Sequence, residues 1–461
     1  MRISSLLLAG VLAVVSLAGH AADTITYPGL GSVTIYQPAG APQEFVIFVS
    51  GDGGWNLGVV SMAQHLVEAG ALVSGVDINQ MGKRLQASSD TCANLAVTFE
   101  TFSHFVQQKY GLKRYESPIL VGYSSGATVV YATLAQSPVG TFKGALSLGF
   151  CPDLEWSKPM CRGEGLEHDP GAKVGFVYRP ATHLRDPWIA LQGDQDQVCN
   201  AEQTRQFVAK VPSAKVVMLP NVGHGYSVEK NWVPQFLEAF RGIAAASDEG
   251  RSALPAGVSD LPLVELPATG ATRDVLAIML SGDGGWAGLD KEVARELNAR
   301  GVPVVGWDSL RYFWDARTPD GAAHDLDRVI RHYTQAWHKT QVLLIGYSQG
   351  ADTMPFMGSR LPEESRRLVG VTALIAMSDE AFFEFKVSHW LGTPTGGLPT
   401  APEVESGRIG QVLCVYGKEE SDSLCRKLHG AGIRAVGLPG GHHFDGDYAA
   451  VAQAILAALP E

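Results

Sequence analysis

A serine between two glycines occurs twice in this chain, in GYSSGA around Ser124 and in GYSQGA around Ser348. An apolar run, ILVGY or LLIGY, leads straight into each serine. A strand that turns sharply into a helix leaves no room for side chains beside the turn, and the turn lifts the hydroxyl clear of the sheet. A serine hydroxyl is a poor nucleophile by itself, so it needs a base and an acid that orients the base. Both follow in order. After Ser124 come Asp194 and Asp196, then His224; after Ser348 come Glu419, Glu420 and Asp422, then His442 and His443.

Matched offsets choose among these residues. Asp196 lies three residues before Cys199 and Asp422 three before Cys425, which selects Asp196 and Asp422 as the acids. Gly223-His224-Gly225-Tyr226 aligns with Gly441-His442-His443-Phe444, so His442 is the expected base and His443 its alternative. Two triads are thereby predicted: Ser348, Asp422 and His442, and a second set of Ser124, Asp196 and His224. An acyl-transfer intermediate also needs hydrogen-bond donors for its oxyanion. The backbone N–H of the residue after each serine, Ser125 or Gln349, is one. The other is expected from the SGDGGW loops, at Asp52 and Asp283.

Those loops belong to a wider repetition. SGDGGW, a strand ending at Asp77 or Asp308, GYSxGA, an acid-bearing turn and a histidine-bearing turn recur in one order in both halves, so the chain is a doublet. Short β-branched runs such as EFVIFVS, PILVGY, VLAIMLS and VLLIGYS alternate with longer amphipathic stretches. Apolar runs without strict alternation indicate strands buried on both faces, hence parallel sheets covered by helices. The expected fold class is α/β, with two tandem α/β-hydrolase-like domains at residues 22–243 and 263–461. Residues 244–262, small, polar and bearing Pro and Gly, read as a linker.

Composition bounds the rest. The 461 residues carry 36 basic and 47 acidic side chains, and this net charge of −11 argues against nucleic acid as a partner. Arg2, an apolar stretch from Leu6 to Leu17, and Gly19 and Ala21 at the −3 and −1 positions of a cleavage site read as a secretory signal peptide over residues 1–21. No later stretch is apolar enough to span a bilayer. Export makes the six cysteines disulfide candidates. Cys414 and Cys425, alone in the second half, are expected to pair; Cys92, Cys151, Cys161 and Cys199 allow three pairings, which spacing does not decide. No metal-ligand spacing is present, and no metal or organic cofactor is expected.

The paired SGDGGW and GYSxGA signatures, with VVGWDSLRYFW and GGHHFDGDY, resemble the VirJ/AcvB bacterial virulence family over nearly all of the chain after the leader. The resemblance implies an α/β-hydrolase fold, a periplasmic location and hydrolysis of aminoacyl-phosphatidylglycerol, a membrane phospholipid bearing a lysyl or alanyl ester. It also implies that the second copy is the catalytic one, at Ser348 and the GGHHFD histidines, and it raises secretion-system proteins as partners. A serine hydrolase of another ester or peptide, and a non-catalytic periplasmic adaptor in virulence-factor secretion, are the competing readings. Such a lipid carries an ammonium on its aminoacyl ester and a phosphate on its phosphatidylglycerol part, so substrate-binding candidates are Asp352, Asp308 and Arg311, with Asp283 if its side chain turns toward substrate.

Overall fold

The computed structural model describes residues 22–171, 174–249, 254–268, 272–386 and 396–459; the expected leader at 1–21 lies outside them. Two sheets organise the chain. The first has eight strands, in the order Asp23–Tyr27, Gly31–Tyr36, Ala71–Val76, Glu44–Val49, Ile119–Tyr123, Gly144–Leu148, Trp188–Gly193 and Ala214–Leu219. The second has seven, in the order Leu263–Leu266, Val304–Trp307, Val275–Leu280, Gln341–Tyr347, Val369–Ile375, Gln411–Gly417 and Ile433–Leu438. Antiparallel pairing is confined to the start of each sheet, and all later neighbours are parallel.

The apolar runs explain this layout. Glu44–Val49, Ala71–Val76 and Val275–Leu280 are buried almost throughout, as strands covered by helices on both faces must be. The outermost strands, such as Asp23–Tyr27, keep exposed positions. Each serine strand is central, so its C-terminal end opens at the middle of a sheet. The chain therefore folds as two α/β-hydrolase-like units.

The expected linker is shorter than its composition suggested. Helix Val233–Glu249 runs past residue 243, because the Ala-rich stretch that opens the segment is a strong helix former. The hairpin Asp23–Tyr36 and the small sheet of Asp153–Leu154, Phe176–Tyr178 and His168–Pro170 lay outside the repeated motifs and were not anticipated. Cys92 is bonded to Cys161, Cys151 to Cys199, and Cys414 to Cys425. Among the described residues no helix is long and apolar enough to cross a membrane.

The two units meet through an apolar cluster of Tyr115 from the first and Leu310, Trp314 and Phe385 from the second. Trp314 Nε1 donates to the Leu112 carbonyl at 2.8 Å, and Gln108 Nε2 to the Phe385 carbonyl at 2.5 Å. Helix Leu95–Lys109 of the first unit thus packs against the second unit beside its serine-bearing end.

Candidate active site

Both serines sit at the strand-to-helix turn with left-handed backbone, φ 56° at Ser124 and φ 50° at Ser348. Such strain in a non-glycine residue persists only where its surroundings enforce it. The neighbours do so. Ser124 N–H donates to the Leu148 carbonyl and Ser348 N–H to the Ile375 carbonyl, both at 2.9 Å. A Cβ on Gly126 would lie 2.3 Å from the Val49 carbonyl oxygen, and one on Gly350 would lie 2.2 Å from that of Leu280. The helix can approach its neighbouring strand only because glycine follows the serine by two.

In the first unit His224 Nε2 lies 3.0 Å from Ser124 Oγ, and His224 Nδ1 lies 2.9 Å from Asp196 Oδ2. Asp196 is buried, and its other oxygen accepts the N–H groups of Val198 and Cys199, each at 2.9 Å. In the second unit His442 Nε2 lies 3.0 Å from Ser348 Oγ. Its Nδ1 lies 2.6 Å from Glu420 Oε1, and Glu420 Oε2 accepts the Gly417 N–H at 2.9 Å.

The expected acid Asp422 is therefore displaced by Glu420, and Asp422 is exposed. The cause is a length difference in the turn. Counted from the glycine that ends the strand, the acids match: Asp196 is three beyond Gly193 and Glu420 three beyond Gly417. Both turns close the same way, Asp196 N–H on the Gly193 carbonyl and Glu420 N–H on that of Gly417. The two extra residues fall between Glu420 and Cys425, so counting back from the cysteine gave the wrong acid. Burial pushes the Glu420 carboxyl up, but its bonds to His442 and Gly417 and the adjacent imidazoles outweigh this and hold it below its ordinary value. It is a carboxylate poised to orient an imidazole.

His443 does not reach the serine. Its Nδ1 lies 2.9 Å from the Tyr347 hydroxyl, and burial, with His442 beside it, pulls its pKa down. The oxyanion-loop candidates differ between the units: Asp52 is exposed and Asp283 half-buried. A Cβ on Gly51 would lie 2.9 Å from Ser124 Cβ, and one on Gly282 would lie 3.5 Å from Ser348 Cβ, so these loops run alongside the two serines. Ser125 and Gln349 open the helices, where the first N–H groups have no intrahelical acceptor.

A cavity of about 360 Å³ opens at Ser348 and Gln349. Its carboxyl groups are Asp283, Asp352, Asp379, Glu380 and Glu384, and among the described residues its one cation is Lys386. Lys386 pairs with Glu384 at 2.8 Å, and Asp379 reaches Lys427 at 2.7 Å, so among the described residues carboxyl groups outnumber cations at this cavity. Asp352 is buried and accepts the Ser378 N–H at 2.7 Å. Burial raises its carboxyl well above the ordinary value, Ser378 opposes this, and Asp283 and Asp379 add to it. Sequence comparison of the two halves singled out Asp352 but missed Asp379, Glu380 and Glu384, which come from the loop after the neighbouring strand.

Asp308 and Arg311 lie elsewhere. Asp308 caps the helix Ser309–Tyr312, accepting the Arg311 N–H at 3.0 Å, and its counterpart Asp77 caps Ile78–Ala87 in the same way. The Arg311 guanidinium rests on Asp308 at 3.4 Å and on Ser117 of the first unit at 3.5 Å. Neither lines the cavity at Ser348. Among the described residues the one cluster with metal-ligand potential is Asp196, Cys199 and His224. Cys199 is bonded to Cys151 and the other two to each other, so the donors are already engaged.

A family profile described as bacterial virulence protein (VirJ) matches residues 43–144 and 274–461, together more than half of the chain. Similar solved structures each cover about half of it. An α/β serine hydrolase homologue from Coxiella burnetii is 19% identical over 49% of this chain and 96% of its own, with a TM-score of 0.33. Est1E from Butyrivibrio proteoclasticus is 18% identical over 49% and 99%, with a TM-score of 0.32. An α/β serine hydrolase without a lid from Xanthomonas campestris is 18% identical over 52% and 98%, with a TM-score of 0.34. No curated protein sequence matches the chain.

Proposed function

The chain belongs to the VirJ family of bacterial virulence proteins, and on that premise we propose that it is a periplasmic serine esterase. Its substrate is the aminoacyl ester of aminoacyl-phosphatidylglycerol, lysyl or alanyl, and its second unit does the work. The observation that carries this reading is the carboxyl-rich cavity at Ser348. An aminoacyl ester holds an ammonium a few bonds from the carbonyl under attack, and a site selective for it places negative charge beside the nucleophile.

In the proposed reaction Ser348 Oγ attacks the ester carbonyl while His442 Nε2 takes its proton, with Glu420 holding the imidazole. The developing oxyanion turns toward the N–H groups of Gln349 and Asp283. The phosphatidylglycerol hydroxyl leaves with the proton from His442, and water then releases the amino acid. Lysyl- and alanyl-phosphatidylglycerol incubated with the purified protein should yield phosphatidylglycerol and free amino acid. Ser348→Ala should lower kcat by roughly 10³-fold or more. Turnover that survives this substitution would place the nucleophile elsewhere.

A further inference from the structure

The triad of Ser124, His224 and Asp196 is as closely assembled as the one at Ser348, but its surroundings are different. The strands that follow both serines set the correspondence: Gly149 N–H bonds to the Leu191 carbonyl as Ala376 N–H bonds to that of Val415, both residues with positive φ. Counting on from there, Cys151 takes the place of Ser378, Pro152 of Asp379 and Ser157 of Glu384. On the helix, Thr128 takes the place of Asp352. Where buried Asp352 accepts a backbone N–H, Thr128 Oγ1 donates to the Cys151 carbonyl at 2.5 Å. The carboxylates at corresponding places, Asp52, Asp153 and Glu155, are all exposed, where water and salt screen them, so nothing here matches buried Asp352 or half-buried Asp283 and Glu384.

Disulfide-bonded Cys151 and Pro152 put apolar side chains where the second unit has Ser378 and Asp379. The Cys151–Cys199 disulfide ties this loop to the acid turn. Next to it Val198, on that turn, is 67% exposed, an apolar side chain left open to solvent. We propose that Ser124 is a second catalytic nucleophile, in a site that takes carboxylic esters with an uncharged acyl group.

The chemistry balances without a co-reactant other than water. Ser124 Oγ forms a bond to the acyl carbon as its proton moves to His224 Nε2. The bond from that carbon to the alcohol oxygen then breaks, and the alcohol departs with the proton. Water attacks the acyl-serine, gives a proton to His224, and leaves as the carboxylic acid while Ser124 regains its hydrogen.

The test uses the full chain. Wild-type protein is treated with a fluorophosphonate probe and the modified peptides are mapped; the Ser124 peptide should carry the adduct. In the Ser348→Ala background, p-nitrophenyl butyrate should be hydrolysed at least roughly tenfold faster than by the Ser124→Ala/Ser348→Ala protein, and roughly tenfold or more faster than its 2-amino analogue, since a desolvated ammonium lacks a partner there. An unmodified Ser124 peptide, or equal rates in the single and double variants, would overturn the nucleophile. A preference for the 2-amino ester would overturn the substrate class. Adduct mapping on the wild type keeps the result readable even if a variant folds poorly.

Discussion

At the scale of the residue, the acid of the Ser348 site provides the sharpest discrimination. Glu420 touches His442 at 2.6 Å, whereas Asp422, two residues on, is exposed. Glu420→Gln keeps the shape but removes the charge that stabilises an imidazolium, and should lower kcat by roughly 10²- to 10⁴-fold. Asp422→Asn should leave kcat within about twofold. Steady-state ester hydrolysis by the two variants decides between them, and equal losses would break the assignment. Asp352 makes a second residue-scale prediction. Asn in its place should cut kcat/KM for a free-amine ester by roughly tenfold or more, the worth of one charge-assisted hydrogen bond, with much less effect on the N-acetyl ester. Parallel losses on both esters would make Asp352 a packing residue.

At the scale of the element, the turn that carries Glu420 is held at both ends. It leaves the strand Gln411–Gly417 and is tied back to that strand by Cys414–Cys425, a separation of 11 residues. Closing a loop this short stabilises by about 3 kcal/mol in the chain-entropy account. Cys414→Ser/Cys425→Ser should therefore lower the thermal midpoint, and should reduce kcat more than it raises KM, because the base is misoriented while the cavity is intact. Thermal unfolding and intact mass under non-reducing conditions check both points; a mass showing two free thiols in the wild-type protein would remove the premise.

At the scale of the whole molecule, the first unit reaches the site of the second. Glu100, on the helix Leu95–Lys109, lies beside the Asp283 loop, 3.8 Å from where a Cβ on Gly284 would stand. Burial pushes its carboxyl from 4.5 up to about 8, and Asp283 adds to the rise. Tyr115, also raised mainly by burial, stands near it as well. A folded-state pKa above the unfolded value means that the folded protein holds a proton the unfolded chain releases. The stabilisation is complete below about 4.5, declines as pH climbs through the window, and is gone above about 8. The full-length protein should thus lose more thermal stability between pH 5 and pH 8 than Glu100→Gln, which carries no titrating proton. Parallel pH profiles for the two would exclude Glu100 from the coupling.

The sequence alone determined the doublet, both serine turns, both histidines that reach them and the parallel architecture. Each of these is written locally: glycines where a helix must touch a strand, unbroken apolar runs where both faces are covered, one histidine after the last strand. Asp196 was legible for the same reason. Glu420 was not, because its turn is two residues longer than its counterpart, and only the hydrogen bonds show that the turn is measured from Gly417. Asp308 and Arg311 looked like ligands for a phospholipid until the fold placed them in a helix cap and at the contact with Ser117. The cavity's carboxyl lining is likewise a property of the fold. Asp283, Asp352 and Glu380 come from separate segments, and their carboxyl groups face one cavity only because the parallel strands bring those segments to one end of the sheet.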